Sequence, residues 1–269
     1  MRKKGKQLKC LRNRTEEHEA LLHMVRQFFA WQKLRKSIGN QIAAMLRGGL
    51  IDEDQAKEYG EGILKPYKKA EQAAIRQAGK KVATMPIWTQ WLKDVRGVDK
   101  NLAAQFVALI QPISDFDNVA KLWSYAGQAV KDGRAVRREA GTQARWSADL
   151  KQSCFKFGDC VVKVGGPYRK VYDQYKARDK AKHPEPAPLL DAKGKPKKTR
   201  DGETWMQYTP MHLHRRATRY VAKLFLSHLW QVWRELEGLP VRSPYPIEAL
   251  GHTTILSPWD FARQNDEPS

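Results

Sequence analysis

The sequence predicts a mainly α-helical fold: a helical hairpin arm, then a helical domain that contains a helix-hairpin-helix, with a basic flexible loop before a long closing helix. Three observations carry this reading. Apolar residues recur at three-to-four spacing along most of the 269 residues, Gly and Pro punctuate those runs, and strand-like alternation is scarce. With 41% hydrophobic content the chain can also bury a real core.

Residues 1–14 form a basic N-terminal arm carrying Lys3, Lys4, Lys6, Lys9, Arg12 and Arg14. Residues 15–84 read as an antiparallel, coiled-coil-like hairpin. Thr15 caps a helix that places Leu21, Val25, Phe28, Phe29, Ile38, Ile42 and Leu46 on one side until Gly48-Gly49 stops it. Asp52 with Gln55 opens the return helix, Ala56 to about Lys81, which is polar on most sides and packs through Ile63, Tyr67, Ala74 and Ile75. An ordinary core helix pair is the alternative; the polar return helix favours a projecting arm.

Residues 85–175 form the next domain. Met85-Pro86 breaks the preceding helix, and WLKDVRGVDKNLAAQFV, Trp91 to Val107, is spaced like a helix-hairpin-helix. One amphipathic helix (Leu92, Val95) ends at Arg96-Gly97-Val98. A second opens with free backbone N–H groups and buries Leu102, Ala103, Phe106 and Val107, so its polarised start can hold a phosphate. Asp99 stands where such hairpins carry a second glycine, and a carboxylate there would repel a phosphate; a plain hairpin capped at Gly97 is the alternative. Pro112-Ile113-Ser114-Asp115 starts another helix that ends near Tyr125-Ala126-Gly127. Cys160 to Val164 reads either as a strand or as the end of a helix starting near Trp146. Tyr168, Tyr172 and Tyr175 repeat at helical spacing among Arg169, Lys170 and Lys176, which suits base stacking or core packing. Trp88, Trp91 and Trp123 read as core.

Residues 176–208 are rich in Pro, Lys and Gly, including the run Lys193 to Arg200, and read as the basic flexible loop. Residues 209–240 form a long helix with Val221, Leu224, Phe225, Leu229, Val232, Trp233 and Leu236 on its apolar side, alongside Trp230, stopped by Gly238 and Pro240. Residues 241–269 are a Pro-rich tail expected to be poorly ordered.

Forty-nine Lys plus Arg against 29 Asp plus Glu give a formal net charge of +20, the footprint of a polyanion binder. The positives bunch in the N-terminal arm, in Lys193 to Arg200, and in Arg215, Arg216, Arg219 and Lys223. No apolar run approaches a membrane span, and the N-terminus is too basic for a secretory signal, so a cytoplasmic, nucleoid-associated protein is expected. Cys10, Cys154 and Cys160 fit a reducing compartment. A zinc site would need Cys154 and Cys160 joined by His212 and His214, at poor spacing, so no metal or other cofactor is expected. No phosphate loop or dinucleotide fingerprint occurs. Asp115, Asp117, Asp132 and Asp159 stand singly rather than converging on a metal, and a pairing of Ser153 with His212 obeys no spacing rule.

From Val95 to Ala129 the order is a hairpin glycine (RGVDKNLAAQFVALI), an acidic-aromatic link (QPISDFDN) and a helix closing on a tyrosine-glycine turn (VAKLWSYAGQA). This resembles the C-terminal domain of the DEDD-type, Piv-related transposases and invertases of bacterial insertion sequences. Their pattern there runs I-P-G-V-G, an A-x-x-L helix, a D-x-x-R-F link and a L-x-x-Y-x-G-L turn. The hairpin before Met85 is similar to their coiled-coil segment. In that family cleavage depends on an N-terminal RNase-H-like domain with four acidic residues and on a serine just past the tyrosine-glycine turn. This chain starts at the arm, so the acidic domain is expected to be absent. After Gly127 no serine precedes Ser147, where N-capping is the expected job. The resemblance implies a DNA-handling fold without a complete active site.

The resulting expectation is DNA binding with little sequence preference, on duplex or branched DNA. The hairpin amides near Gly97, Val98 and Lys100 would hold a phosphate. Arg96, Lys100, Arg134, Arg137, Arg138, Arg215, Arg216 and Arg219 would track the backbone, and Tyr168 with Arg169 and Lys170 would contact bases. The arm would join two copies or a catalytic subunit. A divergent recombinase, using a partner nuclease with Mg²⁺ or Ser147 or Ser153, is the alternative. A structured-RNA binder is another, since the family resembled includes RNA-guided members.

Overall fold

The structure, a computed structural model, describes residues 15–131, 134–137, 141, 143–191, 193–241 and 257–262; the basic arm 1–14, Cys10, Asp132, Arg138 and most of the tail lie outside them. The described chain is mainly helical and divides into two compact units.

The first unit gathers residues up to Lys93, Val98–Asp117 and Trp233–Pro240. Helix α1, Glu16–Arg47, starts as the sequence predicts: the Thr15 side chain accepts from the His18 amide, and Gly49 takes a positive φ of 68° after its end. The return runs through α2 (Glu53–Tyr59), a π-helical turn (Gly60–Leu64) and α3 (Lys65–Val82). Asp52 and Gln55 form the capping box expected of them. The π turn has a local cause: Pro66 supplies no N–H and its ring crowds the carbonyl four residues back, at Gly62, so the helix widens there.

Leu21, Leu22, Val25, Phe28 and Phe29 of α1 are buried, and beyond Phe29 no α1 residue is. The outer hairpin pairs through Trp31 against Tyr67, ring centroids 5.9 Å apart, and Arg35 against Glu71, 2.6 Å apart. Burial pushes the Glu71 carboxyl up, but hydrogen bonds from Arg35 and Gln32 outweigh it and hold its pKa below the ordinary value. After α4 (Pro86–Gln90), the apolar helix α5, Lys100–Ile110, is buried on every side from Leu102 to Ile110. It meets α3 at Gly79, where a Cβ would stand 3.3 Å from the Lys100 Cβ.

The second unit gathers Asp94–Gly97, Asn118–Val232 and Val241–Ser269. It holds α6 (Val119–Tyr125), the short ribbon β1 (Val130–Lys131) and β2 (Arg134–Ala135), α7 (Ala148–Val164), α8 (Pro167–Lys182) and most of α9 (Pro210–Leu236). Asn118, rather than an aspartate of the Pro112–Asp115 stretch, caps α6; that stretch forms only a 3₁₀ turn, Ile113–Asp115. Cys160 to Val164 completes α7, which settles the open choice for helix. Glycine at 158 lets α7 approach α9, since a Cβ there would lie 3.0 Å from the Thr218 Cβ and 3.3 Å from its carbonyl oxygen. Phe157 stacks on Phe225 at 4.1 Å, and Tyr168 packs edge-on to Phe157. At the C-terminal end of α9, Gly238 takes φ 65° and Leu239 donates to the Arg234 carbonyl, the stop read from the sequence.

Two further expectations are corrected. Residues 176–208 are not a flexible loop: Lys176 to Lys182 finish α8, and the rest folds into a small ribbon in which β3 (Ala187–Pro188) pairs with β4 (Met206–Gln207). Leu189, Lys197 and Trp205 exchange backbone bonds of 2.7–2.8 Å, and the Asp191 carboxylate closes a turn by accepting from the Lys193 and Lys195 amides. The tail, expected to be poorly ordered, carries a 3₁₀ turn, Pro258–Phe261, whose Phe261 is buried against Tyr168, 4.5 Å between centroids.

Gly158→Val should force α7 off the Thr218 backbone and destabilise by about 2 kcal/mol, a fall in the thermal midpoint of about 4–8 °C. Gly60→Ala is the control: with φ −60°, ψ −47° and open space around it, it should gain about 0.5–1 kcal/mol.

Candidate nucleic-acid interface

The hairpin segment keeps its glycine and changes its helix starts. Gly97 takes φ 89°, and a Cβ there would press 3.3 Å from Val164 Cγ2, so both conformation and space require glycine. The helix before it is not the regular amphipathic helix expected. The α4 turn ends at Trp91, φ −145°, and a 3₁₀ turn, Leu92–Asp94, follows. The start of α5 does not offer a full set of free amides either. Asp99 is its N-cap, with Oδ1 accepting from the Leu102 amide at 2.7 Å, so a carboxylate of the chain sits where a phosphate was expected. The D-x-x-L spacing from Asp99 to Leu102 is the sequence signal for that cap. Arg96 is exposed and runs along Gly166, Val98 is buried, and Lys100 is exposed.

The remaining expected contacts separate into groups. Arg215 and Lys170 are exposed. Arg169 is engaged by Asp173 at 2.8 Å and by the Val162 carbonyl. Arg216 makes a two-pronged pair with Asp179, 2.7 and 3.0 Å, joining α9 to α8. Tyr168 is 1% exposed and bonds His228 Nδ1 at 2.8 Å, so it cannot stack on a base; Tyr172 is likewise buried, against His214. Tyr175 lies stacked on Tyr220. These tyrosines follow the α8 periodicity that faces α9, which is why core packing overrides the basic neighbours. Arg134 lies in β2, Arg137 is exposed, and Arg138 is outside the described residues.

The hydroxyls named for catalysis are occupied structurally. Ser147 caps α7 by accepting from the Leu150 amide at 3.2 Å, and Ser153 is fully buried and donates to the Asp149 carbonyl. The zinc candidates do not converge. Burial pushes the Cys154 thiol up to about 12, the His212 ring accepts from the Tyr208 amide, and His214 bonds Tyr172. Among the described residues no group of three or more His, Cys, Asp or Glu is placed to hold a metal.

One set of cations was missed, and a second was read only in part, through Arg219 and Lys223 without Lys151. On α3, Lys68, Lys69, Arg76 and Lys80 are exposed, and the helix's single acid, Glu71, is buried against Arg35 on the other side. Lys100 lies beside Gly79 on the neighbouring helix. The spacing 69-76-80 is a helical stripe legible in the sequence. In the second unit, Lys151 and Lys223 are half-buried with Arg219. The Lys151 Nζ stands 4.2 Å from the Trp146 ring centroid and donates to the Val136 carbonyl; the Lys223 Nζ stands 4.1 Å from the Trp123 ring. Burial first, then Arg219 and Arg137, lowers the Lys151 pKa; burial and Arg219 lower that of Lys223; burial lowers that of Arg219. The sequence signal is Arg219 and Lys223 four apart on one helix, a like-charge pair that a helix disfavours.

No protein-family model matches the chain, and no curated protein matches it.

Asp99→Ala removes the α5 cap and should cost about 1 kcal/mol of stability in denaturant unfolding, whereas Asp99→Asn, which caps equally well, should not. Unfolded, Lys151 and Lys223 hold their protons up to about pH 10.4; folded, they release them lower. Below the folded values both states are protonated and the destabilisation is complete; as pH rises through that range it fades. Lys151→Met/Lys223→Met should therefore raise the thermal midpoint at pH 7, by a margin that shrinks toward pH 10.

Proposed function

We propose that this chain is a nucleic-acid-binding protein that grips the sugar-phosphate backbone of duplex or branched DNA without reading sequence, and that it is related to the non-nuclease part of DEDD-type, Piv-related transposases. The observation that carries the reading is the solvent face of α3, where Lys68, Lys69, Arg76 and Lys80 stand with no acid among them. A net charge of +20 supports it. Several carboxylates of the same unit are engaged in local work: Asp52 and Asp99 cap helices, Glu61 pairs with Lys65, and Glu71 faces Arg35.

Contact is made by side-chain cations rather than by hairpin amides, because Asp99 occupies the α5 start. Point charges on flexible stems follow phosphates and carry no base readout, which is why sequence preference is low. The order of hairpin, link and tyrosine-glycine turn between Val95 and Ala129 supports DNA as the ligand. Exposed Trp31, Leu34, Leu46, Leu50 and Ile63 on the hairpin arm support its use as the surface that meets a second copy or a catalytic subunit. No strand chemistry is assigned to the chain itself. Among the described residues no helix is long and apolar enough to cross a membrane.

Titration of labelled duplex DNA, single-stranded DNA and a folded RNA between 50 and 200 mM salt tests the reading. About a thousandfold loss for duplex across that range, with strands left intact in Mg²⁺, is expected for roughly six or more phosphate contacts. Lys69→Gln/Arg76→Gln/Lys80→Gln should flatten the salt slope by about 3. Tighter binding to folded RNA would make RNA the ligand, cleaved strands would make the chain a recombinase, and no binding at 50 mM salt would reject the proposal.

A further inference from the structure

We propose that Lys151, Arg219 and Lys223, gathered around the turn from Trp123 to Ala129, form a phosphate-binding site, occupied in the working protein by a nucleic-acid phosphodiester. All three belong to the second unit. Arg219 is fixed by two bonds from Nη2, to the Gln128 carbonyl at 2.8 Å and the Ala129 carbonyl at 2.7 Å, and among the described residues Nε and Nη1 remain as donors. Lys151 and Lys223 lie against the Trp146 and Trp123 rings at 4.2 and 4.1 Å. The turn is shaped to bring them in: Gly127 takes φ 65°, and a Cβ there would stand 2.9 Å from Lys151 Cδ.

Among the described residues every hydrogen-bond and ring partner in this cluster is neutral. Indole faces and carbonyl oxygens hold the cationic heads in place without cancelling their charge. Among the described residues no carboxylate lies within ion-pair distance of Lys151, Arg219 or Lys223. Half-burying three like charges is unfavourable, and methionine or glutamine would remove the cost without changing the volume much. Elsewhere in the same unit the fold does neutralise a half-buried arginine, as Asp179 does for Arg216. A phosphate seated among the three heads would supply the missing charge and accept their N–H bonds, while the indole walls exclude water and strengthen the attraction. The half-exposure of all three keeps the site open to a strand.

The choice of a phosphodiester as occupant rests on the reading of the chain as a nucleic-acid binder, and the experiment separates the two. The full chain and Lys151→Met/Lys223→Met are each melted in sodium chloride and in millimolar inorganic pyrophosphate at equal ionic strength. Each is then titrated with a duplex and with a single strand at 50–200 mM salt. The wild-type midpoint should rise in pyrophosphate and the variant's should not. The variant should bind nucleic acid about tenfold or more weakly at 100 mM salt, with a slope reduced by about 1 to 2. Lys151→Arg/Lys223→Arg should retain the slope. Equal affinity and slope in wild type and variant overturn the site and leave the nucleic-acid reading standing. A pyrophosphate response without nucleic-acid binding overturns the phosphodiester as occupant and supports a small phosphate-bearing ligand. If the double variant loses its helical circular dichroism, Lys223→Gln replaces it, with about threefold weaker binding expected; no change then overturns the site.

Discussion

Carboxylates are scarce in this chain, 29 against 49 lysines and arginines, so each one engaged in a local task leaves a cation elsewhere without a counter-charge. The folding of the helices makes the first demands. Asp52 and Asp99 cap α2 and α5, and Glu16, Glu17, Glu19, Glu53, Asp54 and Asp149 lie in first turns, where the helix dipole favours them. Glu61, Asp159 and Asp173 pair with a cation four residues away on their own helix. Glu71 and Asp179 make ion pairs between helices, as does Glu17 with Lys81 at 3.9 Å. What remains is a surface whose positive residues are unevenly opposed.

That constraint has a different expression in each unit. In the first, it yields an exposed stripe, Lys69, Arg76 and Lys80, in which each charge is well hydrated and its presence costs the fold little. In the second, it yields Lys151, Arg219 and Lys223, which are drawn partly out of water against indole rings. The two arrangements suit different roles. An exposed stripe attracts a polyanion over distance and is screened by salt, whereas a half-buried cluster is screened less and fixes where a phosphate sits. The hairpin between Trp91 and Lys100 has structural tasks of its own. Its glycine fits against α7, and its aspartate caps α5.

Much of the helical framework was legible because it follows local rules. The Thr15 cap, the Asp52–Gln55 capping box, the Gly48-Gly49 stop, the break at Met85-Pro86 and the Gly238 stop are all decided within a few residues of sequence. The same locality explains the misses. Tyr168 and Tyr172 sit among lysines and arginines in the sequence, yet their burial depends on α9, some fifty residues away. The ribbon from Ala187 to Gln207 has a loop-like composition, and only the three-way backbone pairing of Leu189, Lys197 and Trp205 reveals its order. Lys151 was invisible because its significance comes from Arg219 and the Trp123–Ala129 turn. Asp99 was legible too, since the D-x-x-L spacing to Leu102 marks an N-cap, and that capping geometry decides its role.

On the proposal above, cations left without counter-charges, above all Lys151 and Lys223, are held for phosphates. The most direct measurement is a mass-spectrometric footprint of lysine acylation on the full chain, with and without a short duplex. Lysines of lowered pKa acylate readily in the absence of ligand, so both should label early and lose that reactivity when the duplex is added, together with Lys69 and Lys80. Protection confined to the ribbon lysines, Lys193 to Lys198, with Lys151 and Lys223 still labelled at saturating duplex, would contradict it.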